Sequence, residues 1–163
     1  MNKIKYLILI LILFIFVGCT KEEPVEEPSV LPSNVTASYY ADKTFSFRDF
    51  EVTVSSNVKI VTINKELSQD NNKKVVQVPV TVKNVGNSSD HISMFYYKFY
   101  NNSMTEISTK GSNFDDSLDY AGDLAPGQTY TKYFYFPYDG NGKYYIEFNT
   151  FSKKNYLILD INK

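Results

Sequence analysis

From Phe45 onward the chain alternates. Val76, Val78, Val80 and Val82 are separated by Gln77, Pro79, Thr81 and Lys83, a period of two that predicts a strand with one dry face and one wet face. Pro79 has no N–H to give to a ladder, so the same pattern predicts an edge position or a bulge there. Phe50, Val52 and Val54 form another alternating row, out of phase with Phe45 and Phe47. The change of phase predicts a bulge or bend near Arg48 and Asp49. Three further rows are predicted to point inward from their strands: Phe95, Tyr97 and Phe99; Phe134 and Phe136; Tyr144, Ile146 and Phe148.

Turn-forming residues separate these rows at the spacing an antiparallel sheet requires. Asn84-Val85-Gly86-Asn87, Asn101-Asn102-Ser103, Pro126-Gly127 and Asp139-Gly140-Asn141-Gly142 supply residues that tolerate positive φ or are pre-set for turns. After residue 18 no stretch has the 3.6-residue period of an amphipathic helix. The pattern therefore predicts an all-β domain over residues 34–163, an antiparallel β-sandwich of about seven or eight short strands.

The N-terminal residues follow a different rule. Lys3 and Lys5 precede an unbroken apolar run from Leu7 to Val17, the layout of a secretory signal peptide, expected here over residues 1–18. As a helix that run rises only ~1.5 Å per residue, short of a bilayer core of roughly 30 Å. It ends in Phe16-Val17-Gly18-Cys19, which resembles the bacterial lipobox, whose cysteine thiol receives a diacylglyceryl group before cleavage ahead of it. Phe16 stands where leucine is usual, and that position asks mainly for an apolar side chain. Cys19 is the sole cysteine, which excludes an intrachain disulfide and a cysteine-based zinc site. The lipidated Cys19 and the residues to Ser33, with Pro24, Pro28, Pro32 and four glutamates, are expected to form an extended, solvated spacer. The acidic excess sits in that spacer. From Asn34 onward basic and acidic residues balance, so no nucleic-acid footprint is expected.

The strand rows also carry a resemblance. The run Val80 to Asn87, then Phe95 to Tyr100, Gly122-Asp123-Leu124-Ala125-Pro126-Gly127-Gln128, Tyr133 to Pro137 and Gly142-Lys143-Tyr144-Tyr145 resemble the telokin-like extracellular domain of bacterial lipoproteins over roughly residues 45 to 150. That resemblance implies an immunoglobulin-like sandwich outside the cell and transfers no catalytic residue.

Candidate chemistry is sparse. His91, the single histidine, follows Asp90 and reads as a solvent-exposed turn residue, since the chain has no Gly-x-Ser-x-Gly elbow and no α/β pattern for a triad. Asp115, Asp116, Asp119 and Asp123 crowd one segment. They are a weak calcium candidate, because the glycine and terminal glutamate of an EF-hand are missing and an acidic strand-joining loop explains them as well. Alternation places Tyr96, Tyr100, Tyr133, Tyr135 and Tyr145 on outer faces, where neighbouring strands would make them one flat aromatic binding face. Two bland readings compete: tyrosine is a good strand residue, and the single arginine beside many Lys, Asn, Ile and Tyr residues points to codon bias. The expectation is a non-enzymatic binding or interaction module without cofactor, anchored by lipid on the outer side of the cell membrane. Its partners would be the membrane and an envelope or extracellular protein or glycan. The alternative is an accessory subunit of an envelope complex, and a small surface hydrolase comes last.

Overall fold

The computed structural model describes residues 37–150 and 153–162; the expected signal peptide, Cys19 and the expected spacer lie outside the described residues. Strands β2 (Thr44–Phe47) and β3 (Phe50–Val54) pair antiparallel with Phe47 opposite Phe50. The phase change at Arg48 and Asp49 is thus a tight hairpin turn and not a bulge, made by Arg48 at a φ of 52°, a conformation that a two-residue hairpin requires. Both rows point inward because they belong to two strands.

Strand β5 (Lys74–Asn84) is the spine of this sheet. Along one edge it pairs with β3 and then with β4 (Lys59–Thr62), and along the other with β8 (Thr129–Pro137). Pro79 therefore lies in a central strand, contrary to the edge expectation. It is tolerated because residues 55–58 stand opposite only Val78 and Pro79, a bulge between β3 and β4. The Pro79 carbonyl accepts from Ser55 N at 2.9 Å, so the missing donor on the same side faces the seam where no ladder bond was due.

The second sheet runs β1–β10–β9–β6–β7, with β1 at Ala37–Tyr40, β10 at Lys153–Ile161, β9 at Gly142–Thr150, β6 at Tyr97–Tyr100 and β7 at Glu106–Ile107. All its pairs are antiparallel except β1 with β10. Among the described residues ten strands replace the smaller number expected, because β1, β7 and β10 carry no clear alternating signal and β3 and β4 are one edge interrupted by a bulge.

Between the sheets lies a core dominated by aromatic and valine side chains. Phe47, Phe99, Phe134, Phe136 and Phe148 interlock there, with ring centroids 4.9 Å apart for Phe99 and Phe136 and 5.5 Å for Phe47 and Phe148, separations at which aromatic pairs attract beyond simple burial. A second, smaller cluster of Ile63, Val75 and Tyr135 sits on the outward side of β5 and β8, covered by Phe114. Leu157, Leu159 and Ile161 of β10 complete the main core.

The two ends of the sandwich differ. Ala37, Asn155, Phe148 and Tyr97 form one cross-sheet row, so β1 begins at the end where β6 begins. The β2–β3 turn is at this end too, since the Arg48 guanidinium lies 4.5 Å from the ring centroid of Tyr96. The segment joining β4 to β5, with a fully exposed Leu67, is at the opposite end.

Candidate functional site

Residues just before β6 break the strand pattern. Ser93 accepts a hydrogen bond from Phe95 N at 3.4 Å and caps a single 3-10 turn, Met94–Tyr96. A 3-10 turn advances side chains by about 120° per residue instead of 180°, which reverses the in-and-out order. Phe95, expected in the inward row with Tyr97 and Phe99, is 86% exposed. Tyr96, expected outward, packs on Phe47 with centroids 6.2 Å apart. Met94 is 44% exposed beside Phe95.

A groove of about 310 Å³ opens between this turn and residues 107–109, with Tyr97 and Phe99 among its lining residues. Its origin is the shortness of β7, which pairs only with Phe99 and Tyr100. Beyond it the chain leaves β6 and crosses toward the other sheet, where Lys110 N donates to the Tyr135 carbonyl at 2.7 Å. Lys98 and Glu106 close the rim with an ion pair at 2.8 Å. Beneath it Asp119 accepts from the Tyr97 hydroxyl at 2.5 Å and from Thr109 Oγ1 at 2.7 Å. Burial, and then the Asp119 charge, push the Tyr97 hydroxyl far above its ordinary pKa. The Tyr97 hydroxyl is thus held neutral, donating to Asp119.

The five tyrosines do not form one face. Tyr133 and Tyr135 lie on β8 in one sheet, Tyr100 and Tyr145 oppose each other on β6 and β9 in the other, and Tyr96 belongs to the capped turn. Tyr135 points outward as alternation requires, yet it is buried. Phe114 stacks on it at a centroid distance of 3.8 Å, its hydroxyl donates to Asp116 at 2.8 Å, and Gln77 Nε2 donates to it at 2.6 Å. The covering loop is held by the close approach of Gly111 to Asp119 and Ser117, where an added Cβ would come within 2.1 Å of Asp119 Oδ2.

The four aspartates are likewise dispersed. Asp116 receives Tyr135, Asp119 receives Tyr97 and Thr109, Asp123 stands 2.8 Å from His91 Nδ1, and Asp115 is exposed. Among the described residues no group of three or more His, Cys, Asp or Glu side chains is placed to hold a metal ion. His91 is exposed, as expected.

Glu147 was invisible in the sequence pattern. It occupies the outward row of β9 and is buried; Tyr100 and Tyr156 donate to its Oε2 at 2.9 and 2.7 Å, and Lys154 Nζ lies 3.5 Å from Oε1. The signal that existed was register: Lys98 and Tyr156 flank Glu147 on the adjacent strands.

Fold and site together define a small β-sandwich domain whose distinguishing surface feature is an exposed Met-Phe turn beside a shallow groove. Residues 39–157 match the family described as a domain of unknown function, DUF4352, and the chain belongs to that family. Solved structures share the sandwich at low identity. The yjhA protein from Bacillus subtilis is 16% identical with a TM-score of 0.59, over 75% of this chain and 99% of that one. A second Bacillus subtilis protein, ycdA, described as a candidate lipoprotein, is 15% identical with a TM-score of 0.57, over 74% of this chain and 39% of its own. The secreted protein MPT63 from Mycobacterium tuberculosis is 14% identical with a TM-score of 0.54, over 76% and 96%. No curated protein matches the chain.

Proposed function

We propose that this protein is a non-enzymatic contact module, fixed to the outer face of a bacterial cell membrane by lipid on Cys19 and meeting a component of the envelope through its Met94–Phe95 turn. The observation that carries the contact role is Phe95, a large apolar side chain left 86% exposed by a turn that Ser93 caps. The anchor rests on Phe16-Val17-Gly18-Cys19 and on the absence of any other cysteine; the likeness to a protein described as a candidate lipoprotein is in keeping with it, and that to a secreted protein with export. An acylated Cys19 attaches the chain stably because each buried methylene contributes about 0.8 kcal/mol and two chains or more are present. The measurement is detergent-phase partitioning of wild type and Cys19→Ser. Wild type is expected in the detergent phase and Cys19→Ser in the aqueous phase or as unprocessed precursor; equal partitioning removes the anchor from the reading.

A further inference from the structure

We propose that the component met by the Met94–Phe95 turn is the lipid surface itself, so that the domain touches the membrane at a second point and stands on it by one end. The inference rests on the lipid-anchored reading above. Its first support is where the chain enters the sandwich. Strand β1 begins at Ala37, in the same cross-strand row as Tyr97 with β10 and β9 between them, and so at the end of the sandwich that carries Phe95. Whatever conformation residues 20–36 take, their length cannot place Ala37 more than roughly 60 Å from Cys19. The entry end therefore stays within tether reach of the bilayer and meets it at a raised effective concentration, so that a weak interfacial affinity is enough to keep it there.

The second support is the chemistry of that end. Phe95 and Met94 project from a turn with no described residue packed over Phe95, the arrangement by which an apolar tip enters the headgroup boundary. Basic groups nearby have acidic neighbours: Arg48 lies 4.0 Å from Asp90 and Lys98 is paired with Glu106. Contact by this end is thus apolar and should persist in high salt, unlike attraction between a basic patch and anionic lipid. Leu67 supplies the internal control. It is also fully exposed but precedes β5 at the far end, roughly 35 Å away along an eleven-residue strand.

The chain contains no tryptophan, so Phe95→Trp and Leu67→Trp each install a single indole, excited selectively at wavelengths where tyrosine does not absorb, in the full-length lipidated protein. Both variants are reconstituted into vesicles of phosphatidylcholine and phosphatidylglycerol, with and without brominated acyl chains, after their melting transitions are matched to wild type. Flotation comes first: protein that does not float with the vesicles defeats the anchor and with it the reading beneath this one. In floating protein, at least two-fold stronger bromolipid quenching of the indole at 95 than at 67, retained in 0.5 M salt, is the expected result. Equal quenching at the two positions, or quenching at 95 abolished by salt, overturns the apolar end-on contact. An indole at 95 that stays unquenched by lipid, yet becomes shielded from acrylamide only when native envelope protein or glycan is added, overturns it in favour of a macromolecular partner.

Discussion

Phe134-Tyr135 and Phe95-Tyr96 are the same pair of residue types in the same order, and the fold treats them oppositely. On β8 the extended backbone holds, Phe134 faces the core and Tyr135 faces away, but Phe114 covers Tyr135 so that neither ring reaches solvent. In the capped turn the tyrosine packs inward on Phe47 and the phenylalanine is left out. Alternation states which side of a sheet a residue occupies only while the backbone stays extended. It never states what lies over that side, because cover comes from loops distant in sequence.

The largest effect that would test this contrast is at Phe134, which contacts Tyr97, Phe99 and Phe148. Phe134→Ala is expected to cost about 3 to 5 kcal/mol, a large share of a domain's stability, in denaturant unfolding. A loss below about 1 kcal/mol would mean that the two sheets do not close on this ring.

Tyr135 tests whether the outward side of β8 is truly covered. Burial, reinforced by its hydrogen bond to Asp116, raises its hydroxyl pKa above the unfolded value of about 10. Tyr144 is raised by burial and Asp139, and burial pushes Tyr130 up to about 12. Such groups contribute stability that is present below pH ~10 and lost as pH rises through the folded pKa, since the unfolded chain releases its protons first. Each fully differential tyrosine gives a slope of up to about −1.4 kcal/mol per pH unit. Tyr135→Phe should therefore cost about 1 to 2 kcal/mol at pH 7, through the lost hydrogen bonds, and should make the decline above pH 10 shallower. An unchanged alkaline slope would place Tyr135 in solvent and dissolve the contrast.

The smallest effect belongs to Phe95. Phe95→Ser is expected to change stability by less than about 0.5 kcal/mol, as for surface positions without buried partners. A melting transition lowered by several degrees would show that the ring packs on the domain.

These residues also mark what could be read from the sequence. The inward rows of β3, β5, β8 and β9 were legible because each is a run of extended residues with one wet and one dry face, and Phe134 or Val80 needed no tertiary information. Phe95 was misplaced because one serine cap changes the angular step, a signal carried by Ser93 alone. Strand β10 was unremarked because Ile158 adds an apolar residue to the outward row and hides the alternation of Leu157, Leu159 and Ile161. The five-tyrosine face failed on strand order, which periodicity does not contain. The aspartates from 115 to 123 could be read only as a weak calcium candidate or an acidic loop because their partners, Tyr97, Thr109, Tyr135 and His91, come from four other places in the chain.

The parallel pairing of β1 with β10 has a mechanical consequence. Tension in the chain ahead of Ala37 is delivered at the first residue of β1, and the component of it along the strand acts at the end where β1 and β10 both begin. The register from Ala37–Asn155 to Tyr40–Ile158 is then loaded in shear, with its cross-strand bonds strained together instead of peeled one after another. An edge strand of only four residues can in this way carry a drag force that would unzip it if the same load came sideways.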